Sequence, residues 1–329
     1  MAFTKLSLVL VLVASCVVIS SQEGLGLVPD FYRESCPFLE DIVMNIVKSK
    51  VLEQPRIAAQ LLRLHFHDCF VMGCDGSVLL DSNGGIVSEK LANPNKNSLK
   101  GFEVIDEIKL TVEEACPLTV SCADIVAIAA RDSVVLRGGP TWEVLLGRRD
   151  SLTASMDGAN KFIPTPNSSL DTLIANFNQQ GLNIKDLVAL SGSHTMGVAR
   201  CVSFRQRTYD TTYKENIYDR YYPFQKTLRS ICPQSGDDNQ LAPLDFQTPA
   251  YFDNHYYLNL LESKGLLHSD NVLVLEDEGG EIEERVWAYA TNRKLFFESF
   301  SSSMIKMGNI NVLTGAQGEI RKNCRYVNT

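Results

Sequence analysis

Nine cysteines in 329 residues constrain this chain more than any other feature. Cys16 falls inside an apolar run, Leu6 to Ile19, that follows the positive flank of Lys5. The run has the length of a signal-peptide core and is too short for a membrane span. Ser20 and Ser21 are small residues suited to cleavage. The expected division is therefore a signal peptide over residues 1–21 and one domain over 22–329. Eight cysteines then remain: Cys36, Cys69, Cys74, Cys116, Cys122, Cys201, Cys232 and Cys324. An even count in an exported chain implies four disulfides, but eight cysteines allow 105 pairings, and their positions alone do not choose one. No Cys-x-x-Cys pair occurs, which counts against a zinc module.

Between the cysteines the dominant pattern is helical. Leu39, Ile42, Val43, Ile46, Val47 and Val51 form a stripe of helical period over Leu39 to Leu52. Leu61–Phe70 reads as the end of a helix whose apolar residues include Ile57, Leu61 and Leu64, and further helices are expected over Phe102–Ala115, Cys122–Leu136 with Ser121 as N-cap, Ser168–Gln180 with Ser168 as cap, and Asn183–Leu190. Arg220–Ile231, Tyr251–Ser263 and Thr291–Met307 complete the set, and Trp142–Asp150 reads as a brief strand. Asp81–Asn97 and Thr153–Asn167 read as loops. The acidic segment Glu276–Glu284 reads as a solvated face. No linker or repeat divides the chain, so one mostly α domain is expected. A hydrophobic content of 45% supports a sizeable core, and a formal charge of −8 argues against nucleic acid or anionic membrane as general partners.

The densest chemistry lies in Arg63-Leu64-His65-Phe66-His67-Asp68-Cys69-Phe70-Val71-Met72-Gly73-Cys74-Asp75-Gly76-Ser77. Arg63 and His67 are one helical turn apart and share a face, with Phe66 beside them. A fixed cation next to an imidazole marks a place where an anion forms. Beyond the helix end, Asp68, Asp75 and Ser77 supply hard oxygen atoms, and the backbone carbonyls of a Gly-containing loop add more. That donor set suits calcium. Asn167-Ser168-Ser169 supplies one acceptor for N-glycosylation.

This stretch resembles the distal-site signature of class III plant secretory peroxidases, which are haem enzymes. Other segments match the family in order: Phe31-Tyr32 to Cys36-Pro37, Glu89-Lys90 to Asn95, Gly147-Arg148-Arg149-Asp150, Ser191-Gly192-Ser193-His194-Thr195, Asp245 to Asn254, and Leu266 to Asp270. The resemblance spans nearly the whole processed chain. It implies the haem-peroxidase fold, with two helical halves around one buried haem b and minor short β-strands. It also implies the pairs Cys36–Cys116, Cys69–Cys74, Cys122–Cys324 and Cys201–Cys232. On the loop-closure model, a bridge as long as Cys122–Cys324 stabilises by roughly 4–5 kcal/mol.

The implied roles follow residue by residue. His194 is the iron ligand and Asp270 its carboxylate partner, which makes the imidazole a stronger donor. His67 is the acid–base group, Arg63 the anion stabiliser, and Asn95 holds His67 as an acceptor with Glu89 behind it. Phe66 restricts access to the iron, so donors deliver electrons at the haem edge, near Pro164. Two calcium ions are implied. One is held by Asp68, Val71, Gly73, Asp75 and Ser77; the other by Thr195, Asp245, Thr248, the carbonyl of Tyr251, and Asp253. The expected activity is reduction of hydrogen peroxide with one-electron oxidation of small aromatic donors, by a monomer in the extracellular space or cell wall. Met72, Met196, His268 and the acidic 276–284 segment depart from the family pattern without removing a catalytic group. His65, His255 and His268 read as structural or surface residues.

Three rival readings fit less well. A hydrolase would need Ser193 and His194 to meet, but adjacent residues do not face each other, and no Gly-x-Ser-x-Gly elbow occurs. A zinc enzyme using His67, Asp68 and His194 lacks a close ligand pair. A non-catalytic cell-wall binding protein would not need Arg63 beside His67.

Overall fold

A computed structural model describes residues 26–209, 215–277 and 279–329. The expected signal peptide and its cleavage point lie outside these residues. The first half carries α1 (Leu39–Glu53), α2 (Ile57–Cys69), α3 (Phe102–Ala115) and α4 (Cys122–Leu136). Three shorter helices follow, α5 (Met156–Phe162), α6 (Leu170–Gln179) and α7 (Ile184–Ser191). The second half adds α8 (Arg205–Tyr209), α9 (Glu215–Ile231), α10 (His255–Leu261), α11 (His268–Leu275), α12 (Glu281–Thr291) and α13 (Arg293–Met307). Among the described residues one sheet occurs, pairing β1 (Val198–Arg200) antiparallel to β2 (Leu241–Pro243) with Ala199 opposite Ala242. The mostly α architecture expected from the stripes is therefore observed. No described helix is long and apolar enough to cross a membrane.

The core forms around α4, which packs against α1, α2 and α3. Its sequence is apolar nearly all round, and Cys122 to Ala130 are all buried, as a helix without a polar face requires. Ser121 caps it by accepting from Asp124 N–H at 3.1 Å. Asp150 also accepts from Cys122 and Ala123 N–H at 3.0 and 2.9 Å, placing a carboxylate at the positive helix end. Arg148 pairs with Asp124 at 2.7 Å, both fully buried. Gly147-Arg148-Arg149-Asp150 is thus a clamp on α4. It is not the brief strand expected over Trp142–Asp150, because Arg148 and Asp150 are committed to α4, Arg149 donates to the carbonyls of Gln317 and Gly318, and only isolated bridges form, such as Val28 with Leu146.

All four disulfides join the pairs that the resemblance implies. Cys122–Cys324 ties the start of α4 to the C-terminal segment across 202 residues. Cys201–Cys232 anchors a smaller apolar cluster with Phe204, Phe224, Leu228 and Leu266.

Several boundaries move from where the residue pattern places them. α6 is capped by Ser169, whose Oγ accepts from Thr172 N–H at 3.4 Å. Ser168 instead turns inward and accepts from Thr165 N–H at 3.0 Å. The loop expected over Thr153–Asn167 contains α5, capped by Ser155. α10 begins at His255 because Asp253 Oδ1 accepts its N–H at 2.9 Å, leaving Tyr251 in a turn. The single helix expected over Thr291–Met307 is broken at Asn292, which leaves the helical region and caps Leu295. Within the acidic segment, Asp277 Oδ2 accepts from Ile282 and Glu283 N–H at the start of α12. That carboxylate does structural work beyond solvation.

Candidate active site

The distal half of the site is built on α2. Ile57, Leu61 and Leu64 face the core, which turns Arg63, Phe66 and His67 to the adjoining face. His67 is buried, and its Nδ1 lies 2.5 Å from Asn95 Oδ1. Asn95 Nδ2 donates to Glu89 O at 2.8 Å, which fixes the amide with its oxygen toward the imidazole. Nδ1 therefore carries the proton and Nε2 is left as a lone-pair acceptor. Burial, then the Arg63 charge, push the His67 pKa well below the ordinary imidazole value, against the raising effect of Asn95. The ring is neutral and available as a base.

Arg63 Nη2 donates to Pro94 O at 2.9 Å and to Ser98 Oγ at 3.2 Å. Burial and the neighbouring Arg200 lower its pKa to about 10, so it stays charged. Arg200 is a residue the sequence reading did not single out. It sits on β1, six positions after His194, and its Nε is buried without a partner. Two guanidiniums acting on one another across this space form a local excess of positive charge that calls for an anion. The only sequence signal was an arginine following the His194 motif.

The proximal half hangs from α7. Asn183 and Asp186 form a reciprocal capping box that fixes its start. At its end a 3-10 turn, Gly192–Thr195, presents His194. His194 Nδ1 lies 2.8 Å from Asp270 Oδ1, while its side chain keeps 39% exposure. With Nδ1 engaged, Nε2 is the free nitrogen. The other Asp270 oxygen accepts from Leu267 N–H at 3.2 Å, so the carboxylate is held by α11 itself. The two halves meet closely: a Cβ on Gly197 would lie 3.0 Å from that of Ala59 on α2, and Gly197 has φ +107.

The family description "Peroxidase" matches residues 43–292. This chain belongs to the peroxidase family. It is 64% identical to Peroxidase 20 of Arabidopsis thaliana, over 93% of this chain and 92% of that protein. It is 55% identical to Peroxidase 9 of the same plant, over 92% and 88%. Peroxidase 4 of Vitis vinifera is 52% identical over the full length of both. The resemblance drawn from the motifs holds, and the match to the peroxidase family does not favour the hydrolase reading.

Two oxygen clusters adjoin this candidate site, one including Asp68 next to His67 and one including Thr195 next to His194. In the first, Asp68 accepts from Gly76 and Val78 N–H and Asp75 accepts from Ser77 N–H, all within one tight loop. Val71 and Gly73 lie in the turn closed by Cys69–Cys74. Only glycine fits at position 73, where φ is +130 and a Cβ would sit 2.8 Å from that of Asn311. Burial, then mutual repulsion, raise the Asp68 carboxyl well above its ordinary value, and burial raises that of Asp75. Ser77 Oγ lies near Asp75 and Glu89 but makes a well-formed hydrogen bond to neither, and Glu89 Oε2 is also unpartnered. Buried carboxylates crowded together, beside a hydroxyl and a carboxylate oxygen left unpartnered, are what a cation site offers.

In the second cluster Thr195 Oγ1 donates to Asp253 Oδ1 and Thr248 Oγ1 to Asp245 Oδ2, both at 3.0 Å. The Tyr251 ring is exposed, consistent with a role for its carbonyl alone. His255, read from sequence as structural or surface, contacts this cluster: its Nδ1 lies 3.0 Å from Thr248 Oγ1 and 3.2 Å from Asp253 Oδ2. His65 behaves as read, buried and kept neutral with its pKa lowered to about 3 by burial and Arg148. Pro164 lines a groove of about 420 Å³ with Asn160, Lys161, Thr165, Asn167 and Asn176.

Proposed function

We propose that His194 Nε2 would hold the iron of a haem b and that Arg63 and His67 act on peroxide. The observation that carries this reading is the pair of contrasting imidazoles. Each has Nδ1 engaged and Nε2 free, but one partner is an amide oxygen and the other a carboxylate. A carboxylate makes His194 the stronger electron donor, suited to a metal. An amide leaves His67 uncharged, with Nε2 as the acceptor for a proton. The donor set fits the cofactor in a further way, because haem brings carboxylates that would answer the Arg200 charge, whose Nε is buried without a partner.

The haem supplies the two-electron reduction of hydrogen peroxide and the later one-electron oxidations of small organic donors. His67 Nε2 would take the proton from one peroxide oxygen and return it to the other, which would leave as water. Arg63 stabilises the negative charge on that oxygen as the O–O bond breaks. A preorganised donor of this kind is worth about 10²–10³ in rate. Asn95 keeps His67 in the accepting tautomer. Phe66 stands beside His67, with ring centroids 5.4 Å apart, and limits approach from that side. Aromatic donors then bind by Pro164, at the edge of the site.

One calcium belongs to Asp68, Val71, Gly73, Asp75 and Ser77, and a second to Thr195, Asp245, Thr248, Tyr251 and Asp253. Thr195 adjoins His194, so the second ion would brace the metal ligand directly. We place the protein outside the cell as a monomer, after loss of residues 1–21, acting on small aromatic donors and not on nucleic acid or membrane.

The test is the visible spectrum of the purified protein, followed by peroxide and a phenol. An intense haem band and coloured product support the reading. A colourless protein, or a His194→Ala variant that retains the same haem spectrum, overturns it.

A further inference from the structure

Asp270 Oδ1 accepts two hydrogen bonds. One comes from His194 Nδ1–H at 2.8 Å, the other from the Tyr256 hydroxyl at 3.1 Å. Tyr256 is buried on α10, edge-on to Tyr257 with ring centroids 5.0 Å apart and to His194 at 6.2 Å. A buried tyrosine needs some acceptor, so a hydrogen bond alone is unremarked. The choice of acceptor is informative. Asp270 has two oxygens with separate tasks: Oδ2 caps α11 through Leu267 N–H, and Oδ1 serves the imidazole. Tyr256 donates to the second.

We propose that Tyr256 is a positioning residue that sets how much electron density Asp270 passes to His194. A donor on Oδ1 competes with the imidazole N–H for the same lone-pair density. It withdraws charge from the carboxylate and so holds His194 nearer to neutral imidazole than to imidazolate. Its ring, locked between Tyr257 and His194, also fixes the angle from which that density is shared. Burial and the Asp270 charge both raise the Tyr256 pKa, so the hydroxyl keeps its proton and remains a donor. The inference rests on His194 being the iron ligand.

The experiment uses haem-loaded Tyr256→Phe. Removing the donor should make Asp270 a stronger acceptor and His194 a stronger ligand. The iron–histidine stretching band of the ferrous protein should then move to higher wavenumber. The ferric form should be favoured by about tenfold, which for one electron is about 59 mV toward negative potential. Tyr209→Phe, which loses a hydrogen bond to Cys232 O instead, should move neither readout. Should Tyr256→Phe fail to hold haem, 3-fluorotyrosine at position 256 keeps the shape and donates more strongly, and both readouts should move the opposite way. A lower melting temperature with unchanged band and potential in Tyr256→Phe would overturn the proposal, as would an unmoved fluorotyrosine variant. Absence of an iron–histidine band in the unmodified protein would instead overturn the assignment of His194.

Discussion

Asn95 Oδ1 lies 2.5 Å from His67 Nδ1, although the two residues are 28 apart in sequence and belong to different elements. That contact determines which ring nitrogen is free. Asn95→Ala should leave haem bound but let the ring rotate and change tautomer. General acid–base groups contribute about 10²–10⁴ in rate. The second-order rate of reaction with peroxide should therefore fall by about tenfold or more, read by stopped-flow absorbance. His67→Ala should cost more than Asn95→Ala. Equal rates for the variants and the unmodified protein would remove His67 from the mechanism.

The acid limit of that rate follows from the same environment. Burial and Arg63 hold the folded-state His67 pKa well below the unfolded value of about 6.5. His67 should thus stay neutral, and the peroxide reaction should persist, as pH falls below that value. Arg63→Ala removes one lowering cause, so the acid limb should shift to higher pH while the maximal rate drops. The stability sign is separate. Between the two pKa values the unfolded chain binds the proton and the folded chain does not, so this group weakens the fold as pH falls through that window. Rate and melting temperature measured over the same pH series distinguish the two effects.

Calcium removal should loosen both halves. Asp68 and Asp75 are buried together, Ser77 Oγ and Glu89 Oε2 lack partners, and burial lifts the Glu89 pKa to about 8. Without a cation these groups oppose one another. At calcium about a hundredfold above its dissociation constant, binding stabilises by about 2.7 kcal/mol. Strong chelation should lower the melting temperature and the peroxide rate, and added calcium should restore both. Because the ligands must lose protons to bind, calcium affinity should rise with pH. Identical melting curves with and without chelator would refute the assignment of the two clusters.

Gly192 tests the link between packing and the metal ligand. A Cβ there would lie 2.6 Å from Phe296 Cε2, inside a cluster where Tyr257, Tyr289 and Phe296 already touch. Overpacking of this kind costs about 1–3 kcal/mol. Gly192→Ala should melt earlier and, because His194 is two residues on, lose haem faster to a haem acceptor. A variant with normal melting and normal haem retention would show that the turn can move without disturbing the ligand.

Most of the helices could be read from the residues. The stripe in α1, the run of α4 after its Ser121 cap, and the Asn183/Asp186 box of α7 are local patterns, and local patterns carry their own physics. The failures share a cause. Trp142–Asp150 is not a strand because Arg148 and Asp150 are bound to α4, and Ser168 does not cap α6 because its hydroxyl is taken by Thr165. Distant or competing partners override propensity in each case. Arg200 escaped notice because it gains its significance from Arg63 on α2, whereas His255 was read as structural or surface although its partners, Thr248 and Asp253, lie close to it in sequence.

The residues themselves determined the chemistry on offer: an arginine one turn from a histidine, oxygen-rich loops, and a second histidine in a serine- and glycine-rich turn. Periodicity determined that helices would present them. Tertiary structure decided the partners, since His67 meets Asn95, His194 meets Asp270, and Tyr256 meets the same Asp270 oxygen only when separate helices pack. The reason is physical. A side chain's type is written locally, but its tautomer, basicity and free atoms depend on hydrogen-bond partners that sequence distance does not reveal.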